Sequence, residues 1–318
     1  MKRVLVTGGL GFIGSNFIRV LLKSKKYEVI NLDLITYAGN PENLKEFEKN
    51  PNYKFIKGDI ADKKIAEIAL ENVDLVFNFA AESHVDRSIK DSSDFIHTNV
   101  FGVKNMVECS MKAGVKRFVQ ISTDEVYGSV EKGSSKEIDR LEPRNPYSAT
   151  KASGDLIALS YFHTYGFDVI ITRSSNNYGP YQYPEKIIPL FITNLLEGKK
   201  VPLYGNGKNI RDWLYVEDNC NAILLVGEKG KKGEIYNIGG NNEIQNIELT
   251  KKILSLLGKN ESWIQFVEDR KGHDKRYSLD STKVKNLGWE PKKTFEEGLK
   301  ETIEWYKKNE AWWKKLKR

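Results

Sequence analysis

The stretch VLVTGGLGFIG, residues 4–14, decides the fold. Its start predicts a short strand, Val4 to Thr7, and the apolar residues from Phe12 to Leu22 predict a helix. Between them, Gly8-x-x-Gly11-x-x-Gly14 lets backbone N–H groups approach a pyrophosphate at the helix N-terminus. A glycine pattern of this kind also occurs in purely structural turns, so its context decides between the two interpretations.

The next strand supplies that context. Tyr27 to Asp33 ends in an acid about 20 residues beyond the glycines, where a ribose-binding carboxylate is expected. The combination favours a dinucleotide site over a structural turn. Asp33 also favours NAD, because a carboxylate repels the 2′-phosphate of NADP.

Further apolar runs alternate between strand and helix patterns along the chain. The predicted strands are Tyr53–Lys57, Val73–Phe79, Arg117–Ile121, Phe167–Thr172 and Glu234–Ile238, and the predicted helices are Phe95–Ala113, Val216–Val226, Ile247–Leu257 and Phe295–Leu316. This alternation predicts an α/β protein with a Rossmann-type, doubly wound parallel sheet. Gly, Pro, Asn and Tyr become frequent after residue 177, which predicts a smaller, discontinuous α+β substrate-binding lobe. We expect residues 1–177 to form the NAD-binding domain, with 216–240 returning to it, and 178–215 and 241–318 to form the smaller lobe.

Composition narrows the class of protein. The 318 residues carry a net charge of +7, which suits anionic ligands such as nucleotides, or reflects lysine-rich solvated faces. The lysines are spread along the chain without a nucleic-acid-binding module, so we expect no nucleic acid partner. No apolar run approaches the roughly 20 residues of a membrane span, and no signal peptide is recognisable. Cys109 and Cys220 form no disulfide framework, so we expect a reduced, cytoplasmic protein without membrane contact.

Catalytic chemistry is concentrated in Ser122–Gly128 (STDEVYG) and in the pair Tyr147 and Lys151. Ser122–Gly128 follows a predicted buried strand, and ligands of open α/β sheets bind at the carboxyl ends of strands. Tyr147 and Lys151 share one helix face, and an ammonium near a phenol favours the phenolate. This pair predicts a base that takes a proton from an alcohol during hydride transfer. Asp124 and Glu125 are additional acid–base groups, although a capping or solvated acidic pair fits the same two residues.

Other polar residues leave two interpretations open. Asp59 fits the edge of an adenine pocket, but Asp59 or Asp62 also fits a helix N-cap. His84 has no second ligand at metal spacing, so it is structural or faces the substrate, and we expect no metal site. The loop Asp269–Arg276 suits a phosphate or sugar hydroxyls, and equally an exposed charged turn. The Trp residues of the last helix are expected to pack.

Together these motifs resemble the extended short-chain dehydrogenase/reductases, and within them the dTDP-glucose 4,6-dehydratases. The resemblance covers essentially the whole chain, including TGGLGFIGSN at 7–16, AAESHVDRS at 80–88 and RDWLYVED at 211–218. The paired acids after Thr123 distinguish these enzymes from related hexose 4-epimerases, which usually carry small residues there. Two departures are Lys271, where the family usually has proline, and the short stretch between Glu125 and Tyr147.

The resemblance implies NAD as cofactor, dTDP-glucose as substrate and a hydro-lyase reaction. It implies that Tyr147, assisted by Lys151 and Thr123, removes the C4 hydroxyl proton. It also implies that Glu125 removes the C5 proton and that Asp124 protonates the departing C6 hydroxyl. The rival interpretations are a nucleotide-sugar 4-epimerase or another nucleotide-sugar dehydratase, and a non-catalytic dinucleotide-binding protein.

The resemblance also implies contact positions and an oligomer. The cofactor-binding positions are Gly8, Gly11, Phe12, Ile13, Gly14, Asp33, Asp59, Ile60, Phe79, Ala80, Ala81, Ser83, Thr98, Tyr147, Lys151 and Asn177. The substrate-binding positions are Ser83, Thr123, Asn176, Lys186, Ile187, Pro202, Tyr204, Arg211, Asn246, Asp269, Arg270 and His273. A homodimer is expected through the helices Phe95–Ala113 and Tyr147–Tyr165, which would bury Met106, Leu156 and Leu159.

Overall fold

The computed structural model describes residues 1–270 and 272–317. Its strands are β1 (Lys2–Thr7), β2 (Tyr27–Asp33), β3 (Tyr53–Lys57), β4 (Leu75–Asn78), β5 (Arg117–Thr123), β6 (Val169–Ser174), β7 (Asn176–Tyr178), β8 (Val201–Tyr204), β9 (Ile210–Tyr215), β10 (Ile235–Ile238), β11 (Glu243–Gln245) and β12 (Ile264–Val267). Its α-helices are α1 (Phe12–Lys23), α2 (Lys63–Ala69), α3 (Val85–Lys90), α4 (Ser93–Ile96), α5 (Val103–Lys112), α6 (Pro146–Tyr165), α7 (Ile187–Leu196), α8 (Val216–Lys229), α9 (Asn246–Leu256), α10 (Thr282–Lys285), α11 (Phe295–Lys308) and α12 (Glu310–Leu316).

A seven-stranded parallel sheet in the order β10-β6-β5-β4-β1-β2-β3 forms the centre of the molecule. The chain begins at β1 and winds first toward β3 and then from β4 toward β10, so the strand order reverses between β1 and β4. In register, Thr7 lies between Leu32 of β2 and Asn78 of β4. The predicted Rossmann-type, doubly wound fold is confirmed, and its switch point lies beside the glycine turn.

Two apolar cores cover the two faces of this sheet. On one face α1 contacts α8, with Phe17, Ile18 and Leu21 fully buried. On the other face α5 contacts α2 and α6, with Met106 and Val107 fully buried. Burial on both faces explains why the central strands are continuous apolar runs rather than alternating ones.

The smaller sheets lie in the part of the chain that the composition change indicated. One contains β11, β9 and β7, and a two-stranded parallel sheet contains β12 and β8. Their core includes Trp213, Phe191 and Tyr306, which pack with residues of α7, α9 and α11. The strand β10 pairs with β6 in the central sheet, and the domain division remains a prediction.

Two predicted helices are interrupted in the structure, whereas others differ from it only in their end residues. The segment predicted as one helix from Phe95 to Ala113 begins earlier, at Ser93, and contains a π-helical stretch, His97–Gly102, between α4 and α5. The predicted helix Phe295–Leu316 is divided at Asn309, whose φ of −113° and ψ of 39° are not helical. Apolar spacing indicates which residues are buried. It does not indicate where the backbone hydrogen bonding changes, so neither interruption was predicted.

The helix α12 is tied to the glycine turn. Trp312 Nε1 donates to Asn43 Oδ1 at 2.9 Å, and Asn43 Nδ2 donates to the Leu10 carbonyl at 2.8 Å. Trp312 and Trp313 are both buried, which confirms their packing role. Within the described residues, no helix has the length and apolar character needed to cross a membrane.

Candidate active site

The glycine turn packs too tightly for side chains. Gly8 has a φ of +65°, and a Cβ there would lie 2.6 Å from Ala80 N. A Cβ on Gly14 would lie 2.3 Å from the Gly8 carbonyl oxygen. The N-cap of α1, Gly11, makes no side-chain capping bond, so the first backbone N–H groups of α1 remain free for an anion.

Asp33 closes the other side of this turn. Its carboxylate accepts from Leu10 N at 2.9 Å and from Ile35 N at 2.8 Å. Two further polar atoms at the cavity, Asn176 Oδ1 and Asn177 Oδ1, are buried without a hydrogen-bond partner among the described residues. A tight glycine turn, an acid at the end of β2 and unpartnered amide oxygens fit a bound dinucleotide.

One cavity connects this turn with the carboxyl ends of β4 and β5. All sixteen predicted cofactor positions line it, from Gly8 to Asn177. The predicted catalytic residues Thr123, Asp124 and Glu125 line it as well, together with the predicted substrate residues Ser83, Asn176 and Lys186. The structure therefore brings together residues that are far apart in the sequence.

Asp124 and Glu125 follow β5 in a 3-10 turn that Thr123 caps. Asp124 is buried, with 3% of its surface exposed, and its Oδ2 atom has no hydrogen-bond partner in the described part of the chain. Burial, followed by the neighbouring charge of Glu125, raises the pKa of Asp124 well above its ordinary value. Asp124 is therefore the group that keeps its proton.

Glu125 lies in a different electrostatic environment. Burial raises its pKa, but the charges of Lys186 and Arg211 and a hydrogen bond from Asn145 Nδ2, 3.5 Å long, oppose the shift. Lys186 Nζ also donates to the Ser83 carbonyl at 3.0 Å, which holds the ammonium at the cavity. Two adjacent carboxyls with separated pKa values are the arrangement expected of an acid and a base.

Tyr147 and Lys151 lie on the first turns of α6, as predicted. Asn145 caps this helix in a capping box with Ser148, and Pro146 occupies the first turn. Tyr147 and Lys151 are buried, with 8% and 4% of their surfaces exposed. Both residues line the cavity that Asp124 and Glu125 also line.

The predicted lowering of the Tyr147 pKa is wrong for the protein chain alone. Burial raises the pKa of this phenol, and the charge of Glu125 raises it further. The ammonium of Lys151 donates to the Ile121 carbonyl at 2.6 Å, and burial lowers the pKa of Lys151 to about 8. The expectation considered only the helix spacing of Tyr147 and Lys151, whereas the shift comes from burial and from the charge of Glu125, which lies in the turn after β5.

The remaining predicted substrate residues lie outside the wall of this cavity in the described part of the chain. They are Ile187, Pro202, Tyr204, Arg211, Asn246, Asp269, Arg270 and His273. Several of them contact one another: His273 Nδ1 lies 2.6 Å from Asp269 Oδ1, and the Arg270 guanidinium lies 5.4 Å from the Tyr204 ring centre. Arg270 also pairs with Asp86 of α3, and the departure at Lys271 falls outside the described residues.

The open alternatives for Asp59 and His84 are partly resolved. Asp62 is the N-cap of α2, and Asp59 lines the cavity while pairing with His97 at 2.9 Å. His84 caps α3 by accepting from Arg87 N at 3.4 Å, and its Nε2 lies 3.6 Å from Glu185 Oε2. Burial lowers the pKa of His84 to about 4, which keeps the ring neutral at pH 7.

Several residues of the cavity wall were not predicted. They are Leu32, Leu34, Thr36, Ala38, Gly39, Gly58, Glu82, Ile121, Ser174, Ser175, Gln182, Tyr183 and Glu185. Glu82 and Gln182–Glu185 lie in polar segments beside predicted residues, so their position next to Ser83 and Lys186 was an available signal. Among the described residues, no group of three His, Cys, Asp or Glu side chains is arranged to hold a metal ion.

Comparison with known proteins places this site in a family. The model of the GDP-mannose 4,6 dehydratase family matches residues 5–302. The chain belongs to this family. The resemblance to nucleotide-sugar dehydratases inferred from the motifs is thereby confirmed.

Individual members of the family are similar over almost their whole length. A dTDP-glucose 4,6-dehydratase of Streptomyces niveus is 49% identical, with 99% of this chain and 96% of the relative covered. The low-salt glycan biosynthesis protein Agl12 of Haloferax volcanii is 50% identical, with 95% and 98% covered. This chain is also similar to a crystal structure of a double mutant of DesIV, the dTDP-glucose 4,6-dehydratase of Streptomyces venezuelae, with NAD and a second ligand bound. The two chains are 51% identical and superpose with a TM-score of 0.97, and 99% of each chain is covered.

Proposed function

We propose that this protein uses NAD to dehydrate dTDP-glucose to dTDP-4-keto-6-deoxyglucose. The observation that carries the proposal is the unequal pair Asp124 and Glu125 in the cavity beside Tyr147. A 4-epimerase needs an alcohol base but no separate acid and base for elimination. The similar proteins named above favour dTDP-glucose, although the family name mentions GDP-mannose.

The proposed reaction has three stages: oxidation at C4, elimination of water across C5 and C6, and reduction at C6. The glycine turn and Asp33 would hold NAD. The cofactor would accept the hydride from C4 and return it to C6 after water has left, and the positive charge of its oxidised form would favour the Tyr147 phenolate. Tyr147 removes the proton of the C4 hydroxyl, and Thr123 is placed to hydrogen-bond the same oxygen. The resulting ketone acidifies the C5 proton.

The acid pair then completes the elimination. Glu125 takes the C5 proton while Asp124 gives its proton to the C6 hydroxyl, which leaves as water. Glu125 returns a proton to C5 when the hydride arrives at C6. Asp124 recovers a proton from solvent, and Tyr147 releases to solvent the proton that it took from the C4 hydroxyl. Sugar and NAD therefore exchange no net electrons, and NAD is ready for the next turnover.

Product analysis tests this proposal. The purified protein should convert dTDP-glucose into a product that is lighter by one water, as seen by mass spectrometry, without net formation of NADH. Parallel reactions with UDP-glucose and GDP-mannose test the nucleotide and sugar preference. A product with the mass of the substrate and a galactose configuration would identify an epimerase and overturn the proposal, as would stoichiometric reduction of added NAD.

We also propose a cytoplasmic homodimer with the domain division given above. Ile96, Phe101 and Leu156 are 52%, 52% and 60% exposed on the surface formed by α4, the π-helical stretch and α6. Met106 is fully buried within the protomer, so its predicted place in the dimer contact is wrong. The exposed apolar side chains on neighbouring helices support a two-fold helix contact that does not involve Met106.

A further inference from the structure

A loop after β2, residues 34–40, is fixed at both ends to the dinucleotide site. At its start, Ile35 N donates to Asp33 Oδ1 at 2.8 Å, and at its end Asn40 N donates to the Leu10 carbonyl at 3.0 Å. Thr36, Ala38 and Gly39 of this loop line the cavity. The loop therefore spans from the end of β2 to the glycine turn along one wall of the cavity.

Tyr37, at the middle of this loop, contacts two other segments. Its hydroxyl donates to Glu185 Oε1 at 3.0 Å. The Arg87 guanidinium of α3 lies 3.5 Å from the centre of its ring, and the Tyr183 ring lies edge-on at 5.5 Å. Hydrogen bond, cation–π contact and aromatic contact together hold one tyrosine side chain at the junction of three segments.

Glu185 and Tyr183 form another part of the wall of the same cavity. Glu185 also lies 3.6 Å from His84 Nε2, and the next residue, Lys186, donates to the Ser83 carbonyl. The hydrogen bond from Tyr37 to Glu185 joins residues 148 positions apart in the chain. It connects the loop after β2 to the segment before α7, and both segments line the cavity.

We propose that Tyr37, Arg87 and Glu185 form a latch that keeps the dinucleotide in the cavity between turnovers. This inference rests on the proposed function, in which hydride leaves the sugar and returns to it within one turnover. A dinucleotide lying between residues 34–40 and residues 182–186 leaves only after these walls separate. Separation breaks the Tyr37–Glu185 hydrogen bond, so this bond slows release without contacting the reacting atoms.

The test measures retention of dinucleotide by the holoenzyme. Protein purified with its bound dinucleotide is diluted and filtered at intervals, and the dinucleotide remaining with the protein is quantified after denaturation. Tyr37→Phe removes only the hydroxyl that bonds to Glu185. Because a hydrogen bond to a charged group is lost, we expect release to become roughly tenfold faster or more.

Tyr27→Phe is the matched control. Tyr27 is buried and also donates its hydroxyl to a glutamate, Glu228, but neither residue lines the cavity. Tyr27→Phe should therefore release dinucleotide at the wild-type rate. Equal release by Tyr37→Phe and wild type, or equally fast release by both Phe variants, would overturn the latch.

Two further measurements distinguish loss of the latch contact from a folding defect and from failure of the proposed reaction. If Tyr37→Phe does not fold, Glu185→Ala, which removes the accepting oxygen, decides the question in the same assay, with faster release expected and a wild-type rate overturning the latch. If both single variants fold, the double variant should release no faster than the faster single variant, because both remove one contact. Additive effects would contradict a shared contact. Product formation by the wild-type protein tests the proposed function and does not depend on these rates.

Discussion

Replacing Glu125 by Gln should separate C4 oxidation from elimination. The amide keeps the size of the side chain and an oxygen that can accept from Asn145, which donates to Glu125 at 3.5 Å. It cannot take the C5 proton. A general base typically contributes 10²–10⁴-fold to a rate, so we expect turnover to fall by roughly this factor.

The structure predicts the opposite effect on the first step. The charge of Glu125 is the second-largest cause of the raised pKa values of both Tyr147 and Asp124, after burial. Removing this charge lowers the pKa of Tyr147 and favours its phenolate. Oxidation at C4 should therefore proceed at least as readily as in the wild type, and the reduced cofactor should accumulate in the enzyme.

The assay is a single turnover of the dinucleotide-loaded protein with dTDP-glucose, followed by NADH absorbance and by mass spectrometry of the sugar. Glu125→Gln should show NADH and a 4-keto sugar that has kept its water. Asp124→Asn should behave similarly, because it donates a hydrogen bond but releases no proton. Tyr147→Phe should show neither NADH nor product. Near-normal product from Glu125→Gln, or equal loss of NADH in all three variants, would refute this assignment of steps.

Four further predictions concern the cofactor, the Tyr147–Lys151 pair and the oligomer. Because burial lowers the pKa of Lys151 to about 8, its ammonium is lost as pH rises through that value. The single-turnover rate of C4 oxidation should therefore fall above pH 8, and a rate that stays constant well above pH 8 would contradict a role for the ammonium. Gly14→Ala should reduce bound dinucleotide and cost about 1–3 kcal/mol of unfolding free energy, because its Cβ would meet the Gly8 carbonyl oxygen at 2.3 Å; full dinucleotide content by absorbance would argue against the tight turn. Asp33→Asn should reduce the ratio of the affinities for NAD and NADP by at least about tenfold in binding titrations, because it removes a negative charge near the 2′-phosphate. An unchanged affinity ratio would show that Asp33 does not select against NADP. Leu156→Arg should have a molar mass near 36.4 kDa by light scattering, at a concentration where the wild type has twice that mass. A wild type that is itself monomeric would exclude the dimer.

The parts of the fold that the sequence predicts well are those with a strong local pattern. The strands β2 and β3 have the predicted bounds, Tyr27–Asp33 and Tyr53–Lys57, because each apolar or alternating run is bounded by polar or turn residues. The π-helical stretch at His97–Gly102 was not predictable from apolar spacing. It places Thr98 in the cavity wall, which is a common use of π-helical segments at functional sites.

The site was predictable where a motif carries its chemistry within a few residues. Gly8–Gly14, Thr123–Glu125 and the Tyr147–Lys151 pair all reach one cavity, as expected. The pKa of Tyr147 was not predictable, because it depends first on burial in the folded chain and then on acids from a different element. Tyr37 was missed for the same reason: its partners, Arg87 and Glu185, are distant in sequence and meet it only in the folded chain.

The contact between Trp312 and the glycine turn has a consequence for biosynthesis. Trp312 reaches this turn through Asn43, which lies 269 residues earlier in the chain. A ribosome therefore completes the whole parallel sheet before it makes the side chain that holds Asn43 against Leu10. A nascent chain that ends before α12 has the glycine turn without this support, so we expect tight cofactor loading to follow the synthesis of α12.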